Sequence, residues 1–181
     1  MSTTTSTGLI TSASSTTIPA TTGIQTTTGL IRNTHTTGPC GMAFDPSGNI
    51  YVSYPLENCI YKQNELYIIS GIELNTPLGL CYVNNTLYIA NWGNSRIVTY
   101  NGTTSTTITM PIQPYGLCSI GNILYISGQD SIYRYDTTLT LIKQNSGSDF
   151  MFMCTDGVIL YICDNTSKSV RQYNMQTNVM V

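Results

Sequence analysis

The stretch GLCYVNNTLYIANWGNSRIVTYNG, Gly79–Gly102, holds three apolar bursts, GLCYV, LYIA and RIVTY, separated by Asn, Gly, Ser and Thr. Segments of four to six residues that alternate apolar and polar, broken by turn-forming residues, are the pattern of antiparallel strands. The stretch predicts strands near 79–83, 87–91 and 96–100, with a fourth near 104–110 in the Thr-rich run that follows. Turns fall at Asn84-Asn85, Gly93-Asn94 and Asn101-Gly102. The last is read as a type I′ hairpin turn, because both central residues there must tolerate positive φ. No stretch shows a helical period or a helix cap.

The pattern recurs. GMAFDPSGNIYVS (41–53), GLCYVNNTLYIAN (79–91), GLCSIGNILYISG (116–128) and FMCTDGVILYICD (152–164) align on Tyr51, Tyr88, Tyr125 and Tyr161, spaced 37, 37 and 36 residues apart. Self-similarity at such a period marks a repeat architecture. Four antiparallel strands per unit make a propeller blade, which buries its faces only by stacking on its neighbours. The predicted fold is therefore an all-β propeller, four-bladed or partial. Its blades run over about 39–77, 78–114, 115–150 and 151–181.

Residues 1–38 differ in kind. Fifteen of them are Thr, charge is nearly absent, and apolar residues are thinly spread. Such a stretch cannot build a core of its own. It is expected to be a Thr-rich N-terminal extension, a flexible arm or a segment for assembly and self-association.

Composition narrows the functional classes. Charged residues are 9% of the chain, and seven Lys+Arg against nine Asp+Glu leave a net charge of −2. Nucleic-acid binding needs phosphate-neutralising cations, and four Arg and three Lys scattered over 181 residues form no basic face. No segment approaches the roughly 20 apolar residues that span a bilayer, and the N-terminus does not read as a secretory signal. Neither a nucleic-acid nor a membrane partner is expected.

Of the six cysteines, Cys81, Cys118 and Cys154 share one repeat position, where the first copy has Ala43. A small apolar residue is what that position asks for, and a free Cys supplies one. With Tyr51, Tyr88, Tyr125 and Tyr161 these four residues are the expected repeat core. The cysteines are expected to be reduced thiols, and no CxxC pair proposes a zinc site. His35 is the only histidine and lies in the arm. Asp45, Asp156 and Asp164 with Asn91 are the one set of oxygen ligands that a fold could gather, though Asp45 and Asp156 also sit where turns favour Asp. Trp92, the only Trp, stands in the unrepeated loop Asn91-Trp92-Gly93-Asn94, and Tyr54 in the matching loop of the first copy. Loop aromatics are favoured anchors for partners, so these two are the candidate binding residues.

The run Pro39-Cys40-Gly41-Met42-Ala43-Phe44-Asp45-Pro46-Ser47-Gly48-Asn49-Ile50-Tyr51-Val52 resembles the NHL repeat family of β-propellers. So does Pro77-Leu78-Gly79-Leu80, followed by Leu87-Tyr88-Ile89-Ala90-Asn91 and Gly93-Asn94-Ser95-Arg96-Ile97. The resemblance covers about residues 39–175. It departs from the family pattern in keeping only Arg96 of the third-strand arginines and only Asp164 of the second-strand acids. It implies the fold, and this fold hosts many functions. Some NHL-like proteins are lyases or hydrolases with an axial metal held by several histidines, or by Glu, Asn and Asp. A three-histidine site is impossible here.

The resulting expectation is a non-catalytic protein-binding or structural module without a cofactor. Its partners would be proteins, including copies of itself joined through 1–38. The alternatives are a metal-dependent lactonase- or lyase-like enzyme and a glycan-binding propeller. The Asn-, Thr-, Ile- and Tyr-rich composition resembles NHL-like proteins of large DNA viruses or protists. The expected setting is therefore the cytoplasm or a virion.

Overall fold

In the computed structural model the described residues are 37–62, 65–67, 72–136, 138–177 and 179–181. The arm expected over 1–38 thus lies almost wholly outside the described residues. What is described is nearly all strand, in antiparallel sheets of simple up-and-down order.

The first sheet is β1 (Met42–Phe44), β2 (Ile50–Tyr54), β3 (Cys59–Lys62) and β4 (Glu65–Tyr67). The second is β5 (Pro77–Val83), β6 (Thr86–Asn91), β7 (Arg96–Tyr100) and β8 (Ser105–Thr109). These four agree with the strands expected over 79–110 to within two residues. The remainder is β9 (Pro114–Ile120), β10 (Ile123–Tyr135), β11 (Leu139–Thr155), β12 (Ile159–Asp164), β13 (Ser169–Asn174) and β14 (Val179–Met180).

The last six strands form one sheet in which two repeat units merge. Residues 123–128 of β10 pair with β9, whereas 131–135 pair with 139–144 of β11. The far end of β11, 150–155, pairs with β12. The two long strands run on through the bends that separate strands elsewhere, with Asp130 left-handed and register shifts between Gln129 and Ser131 and between Phe150 and Met153.

The repeat shows in the backbone. The loops between the second and third strands all close on a left-handed residue: Asn58, Ser95, Asp130 and Lys168. The turns between the first and second strands carry positive φ at Gly48, Asn84 and Asn85, Gly121 and Gly157. The two-residue turn with both φ positive is Asn84-Asn85, closing Val83 against Thr86. Asn101-Gly102, read from sequence as that turn, is instead the start of a four-residue loop between Tyr100 and Ser105. There the Asn101 side chain accepts from the N–H groups of Thr103 and Thr104 (3.1 and 2.8 Å), so only Gly102 needs positive φ.

Three apolar seams hold the sheets together. Ala43, Tyr51 and Ile60 of the first sheet pack on Leu80, Leu87, Ile89 and Val98 of the second. Cys81, Ala90 and Ile97 then meet Leu117, Leu124, Ile126 and Tyr133. Tyr125 and Ile132 meet Phe150, Leu160, Ile162 and Tyr173. Each seam uses the same pair of faces: the one bearing the Ala43/Cys81/Cys118 position, and the opposite one bearing the Leu80/Leu117/Met153 position.

The inner strands approach backbone to backbone at these seams. A Cβ on Gly79 would come to 2.5 Å of the Tyr115 carbonyl oxygen, and one on Gly116 to 2.7 Å of the Met151 carbonyl oxygen. Gly41 is tighter still against Leu78. Ser53 Oγ accepts from the Gly41 N–H (2.8 Å) and donates to the Leu78 carbonyl (2.6 Å). Ser127 Oγ repeats this with the Gly116 N–H (3.0 Å) and the Met151 carbonyl. Among the described residues the inner strands meet in the order β1, β5, β9, β11, with no comparable contact between β1 and β11.

Candidate functional site

Two surfaces stand out. The first is on the side of the stack where the loops between second and third strands gather with the connections between sheets. A recess of about 440 Å³ opens there. Its rim has two amides, Gln113 and Gln129, two carboxylates, Asp130 and Asp149, and the hydroxyls of Ser148 and Thr166, with the Tyr115 ring as its aromatic wall. Trp92 lies next to Tyr115, its ring centroid 6.1 Å from that of Tyr115 and tilted by 46°. The Trp92 indole N–H is buried and makes no hydrogen bond. Ser131 Oγ donates to Asp130 (2.7 Å), and Asn165 donates to Asp149 at a long 3.4 Å. Among the described residues no basic side chain lines the recess. Its chemistry is that of a hydrogen-bonding cup with an aromatic side, suited to a neutral, hydroxyl- or amide-rich group.

The candidate loop aromatics fare differently. Trp92 is half-buried at this loop end. Tyr54 is 5% exposed, its ring edge-on to Tyr61 at 5.3 Å, and so presents little surface; Leu56 is the exposed residue of its loop. Sequence reading missed the recess because its lining comes from loops far apart in the chain. The one available signal was Tyr115, the only aromatic at the Cys40/Leu78/Met151 repeat position.

The acids weighed as metal ligands serve local structure. Asp45 accepts from the Ser47 and Asn49 N–H groups (3.0 and 2.9 Å) and from the Tyr51 hydroxyl (3.3 Å). Asp156 does the same for Val158, Ile159 and the Tyr161 hydroxyl (2.9, 2.8 and 3.0 Å). Asp164 is buried. Burial alone would raise its carboxyl, but hydrogen bonds from Ser167 and from Arg171 outweigh it and hold the group well below the usual carboxylate range. Asn91, at the matching place, accepts from the Asn75 N–H (2.6 Å) and donates to the Glu73 carbonyl (3.1 Å). Among the described residues no group of three or more His, Cys, Asp or Glu is placed to hold a metal ion.

The second surface is the pair of sheet faces at the two ends of the stack. Met42 is 66% exposed, although its repeat equivalents Leu80 and Leu117 are 5% and 7% exposed. Phe44 beside it is exposed too. At the other end Cys154, Cys163 and Val170 are exposed, and Phe152 and Tyr161 are half-buried. The expected core position is thus buried at Ala43 and Cys81, half-buried at Cys118 and open at Cys154. The reason is that no further sheet covers the last face among the described residues. Burial and the neighbouring thiols push Cys118 up to about 12. The six cysteines are free thiols.

Among the described residues no helix is long and apolar enough to cross a membrane. No family model matches the chain, and no curated protein sequence is similar to it. Solved structures are similar in fold. The virginiamycin B lyase of Staphylococcus aureus matches with a TM-score of 0.67 at 16% identity, over 80% of this chain and 55% of that one. The WD40 β-propeller domain of Doa1 matches with a TM-score of 0.63 at 9% identity, over 79% and 53%. A nidogen–laminin complex matches with a TM-score of 0.55 at 15% identity, over 79% and 78%. The chain spans a little over half the length of the lyase and WD40 chains. These likenesses, with the stacked four-stranded units, show that the chain has the β-propeller fold.

Proposed function

We propose that this chain is a non-catalytic binding and structural module, a four-unit segment of an NHL-like propeller that joins other protein surfaces. The observation that carries this reading is the exposure of Met42 where Leu80 and Leu117 are buried. A face built to be covered in the interior of the stack stands uncovered at its end, and contiguous exposed apolar surface of this kind marks a contact site. A larger assembly is the setting that such a module serves, and a virion is one assembly of that kind. The test is a photo-crosslinking residue at position 42 or 170, with position 107 on the outer strand β8 as control. Crosslinks to protein at 42 and 170 but not at 107 are expected; equal yields at all three positions would sink the reading.

The Trp92–Tyr115 pair and its polar rim favour a second reading, recognition of a neutral glycan at the loop end. Trp92, as the only Trp, reports on it directly. Titration with neutral oligosaccharides would change its fluorescence, and Tyr115→Ala would abolish the change. The competing class, a metal-dependent lyase- or lactonase-like enzyme, draws support from the likeness to a lyase structure. Stoichiometric calcium or zinc in the purified protein would favour that class over the binding module.

A further inference from the structure

We propose that two copies of this chain join head to tail and close one ring at two equivalent seams. The free face of β1–β3 in each copy would lie on the free face of β11–β13 in the other. The inference rests on the binding-module reading above and names its partner. A heterologous contact of this kind makes a closed ring when its rotation closes. Two sets of four units give eight blades, within the range that propellers use.

Continuity with the internal seams is the argument. The three seams inside the chain all press the Ala43/Cys81/Cys118 face of one sheet onto the Leu80/Leu117/Met153 face of the next. The two faces left over are the missing halves of a fourth such seam. Met42 and Phe44 lie on the first, and Cys154 and Val170 on the last. None of these four residues is charged, and a stack whose end residues are apolar calls for a neighbour there. The extent of two of the matched propellers agrees, although the matched nidogen–laminin chain is shorter. Four-fifths of this chain covers 53% of the WD40 domain and 55% of the lyase, so two copies supply about one such chain.

One residue departs from strict equivalence. Where Gly41, Gly79 and Gly116 let inner strands touch, the fourth unit has Phe152. The seam between copies is therefore wider near the axis than the internal ones, with the Phe152 ring filling it.

The internal seams also specify which residues meet across the new one. Ser53 and Ser127 hydrogen-bond the carbonyls of Leu78 and Met151 in the next inner strand. Cys163 holds the place of those serines, and Cys40 the place of Leu78 and Met151. Cys163 of one copy should thus lie beside Cys40 of the other. Within one copy they belong to the last and first sheets, whose inner strands make no contact comparable to the internal seams among the described residues.

The experiment is mass measurement of the full chain in solution, combined with a short thiol-to-thiol crosslinker and peptide mapping. The expected result is a dimer crosslinked between Cys40 and Cys163. Met42→Asp should make it a monomer that keeps its β-sheet circular dichroism. Cys40→Ser and Cys163→Ser should each remove the crosslink, and mixing these two variants should restore it, because the mixed dimer keeps one intact seam. A dimer without that crosslink overturns the proposal, as do longer oligomers that carry it. A monomer whose Cys154 and Cys163 alkylate at the rate of an exposed thiol overturns the second copy as partner, but leaves the open faces to another protein. A monomer in which both thiols are protected overturns this inference and the binding-module reading together.

Discussion

Cys154 lies directly across from Tyr161 in the β11–β12 ladder. Ala43 faces Tyr51 in the same way, Cys81 faces Tyr88, and Cys118 faces Tyr125. Register is identical in four units whose burial is not. What differs along the series is the neighbour. Where a further unit follows, each pair has a buried member (Ala43 and Tyr51, Cys81 with Tyr88 half-buried, Tyr125 with Cys118 half-buried). Where none follows among the described residues, Cys154 is exposed and Tyr161 half-buried, so exposure at Cys154 is a property of the end of the stack rather than of the unit.

Cys118 should resist alkylation in the folded protein. Burial and the adjacent Cys81 and Cys154 thiols raise it to about 12, so its thiolate fraction at pH 8 is on the order of one in ten thousand. In the urea-unfolded chain, where no thiol is buried, all six cysteines should label at pH 8 while Cys118 of the folded protein stays nearly inert. Peptide mapping after timed alkylation checks this. Because Cys118 is enclosed by an internal seam, Met42→Asp should not change its rate. Labelling of Cys118 in the folded protein as fast as in the unfolded chain would contradict the packing of the third unit on the fourth.

Gly79→Ala should destabilise the fold although the new methyl is apolar. Its Cβ would meet the Tyr115 carbonyl oxygen at 2.5 Å, and backbone there moves only if the second and third sheets part. Overpacking of this kind costs about 1–3 kcal/mol, or roughly 2–10 °C in Tm for a chain of this size. Gly38→Ala, with open space around it, is the control and should be silent. Thermal melts of the two variants decide the matter.

Alternation of apolar and polar residues and the Asn and Gly turns located β5–β8 closely, because antiparallel pairing demands both signals locally. The shared register of the four tyrosines was equally open to view, since a repeat copies its own hydrogen-bond ladder. Three things were not. The Asn101 side chain turned an apparent two-residue hairpin into a four-residue loop by satisfying the Thr103 and Thr104 N–H groups itself. Tyr54 read as a loop anchor, but packing against Tyr61 buries it. The recess around Tyr115 exists only once loops from successive units converge. In each case the deciding contact is with a group that repeat position does not specify.

Ser127→Ala should be costlier than a surface Ser→Ala change. It removes one buried hydroxyl that serves both the Gly116 N–H and the Met151 carbonyl. Buried groups left without partners cost about 1–3 kcal/mol. Ser53→Ala should behave alike through Gly41 and Leu78. The two losses should add, since the seams share no residue. Denaturant midpoints of the single and double variants test this. A neutral effect at both sites would mean that the serines follow the seam rather than hold it.

Asp164 should make the last unit sensitive to acid. Its buried carboxylate accepts from the Thr166 and Ser167 N–H groups (3.1 and 3.2 Å) and pairs with Arg171 at 3.1 Å. These bonds outweigh the opposing effect of burial and depress the carboxyl below its unfolded-state value of about 4. The sign follows from linkage: a group more acidic in the folded state stabilises fully above the unfolded value and loses that contribution as pH falls toward the folded one. Asp164→Asn keeps an acceptor oxygen for the loop but gives up the ion pair. Because Arg171 is partly exposed, the loss at pH 7 should be modest, roughly 1 kcal/mol. Between pH 4 and pH 2 the Asn variant should lose less additional stability than the wild type, so the two curves converge. Urea midpoints across pH 2–7 are the measurement. Parallel curves would show that Asp164 is not the acid-labile group of this sheet.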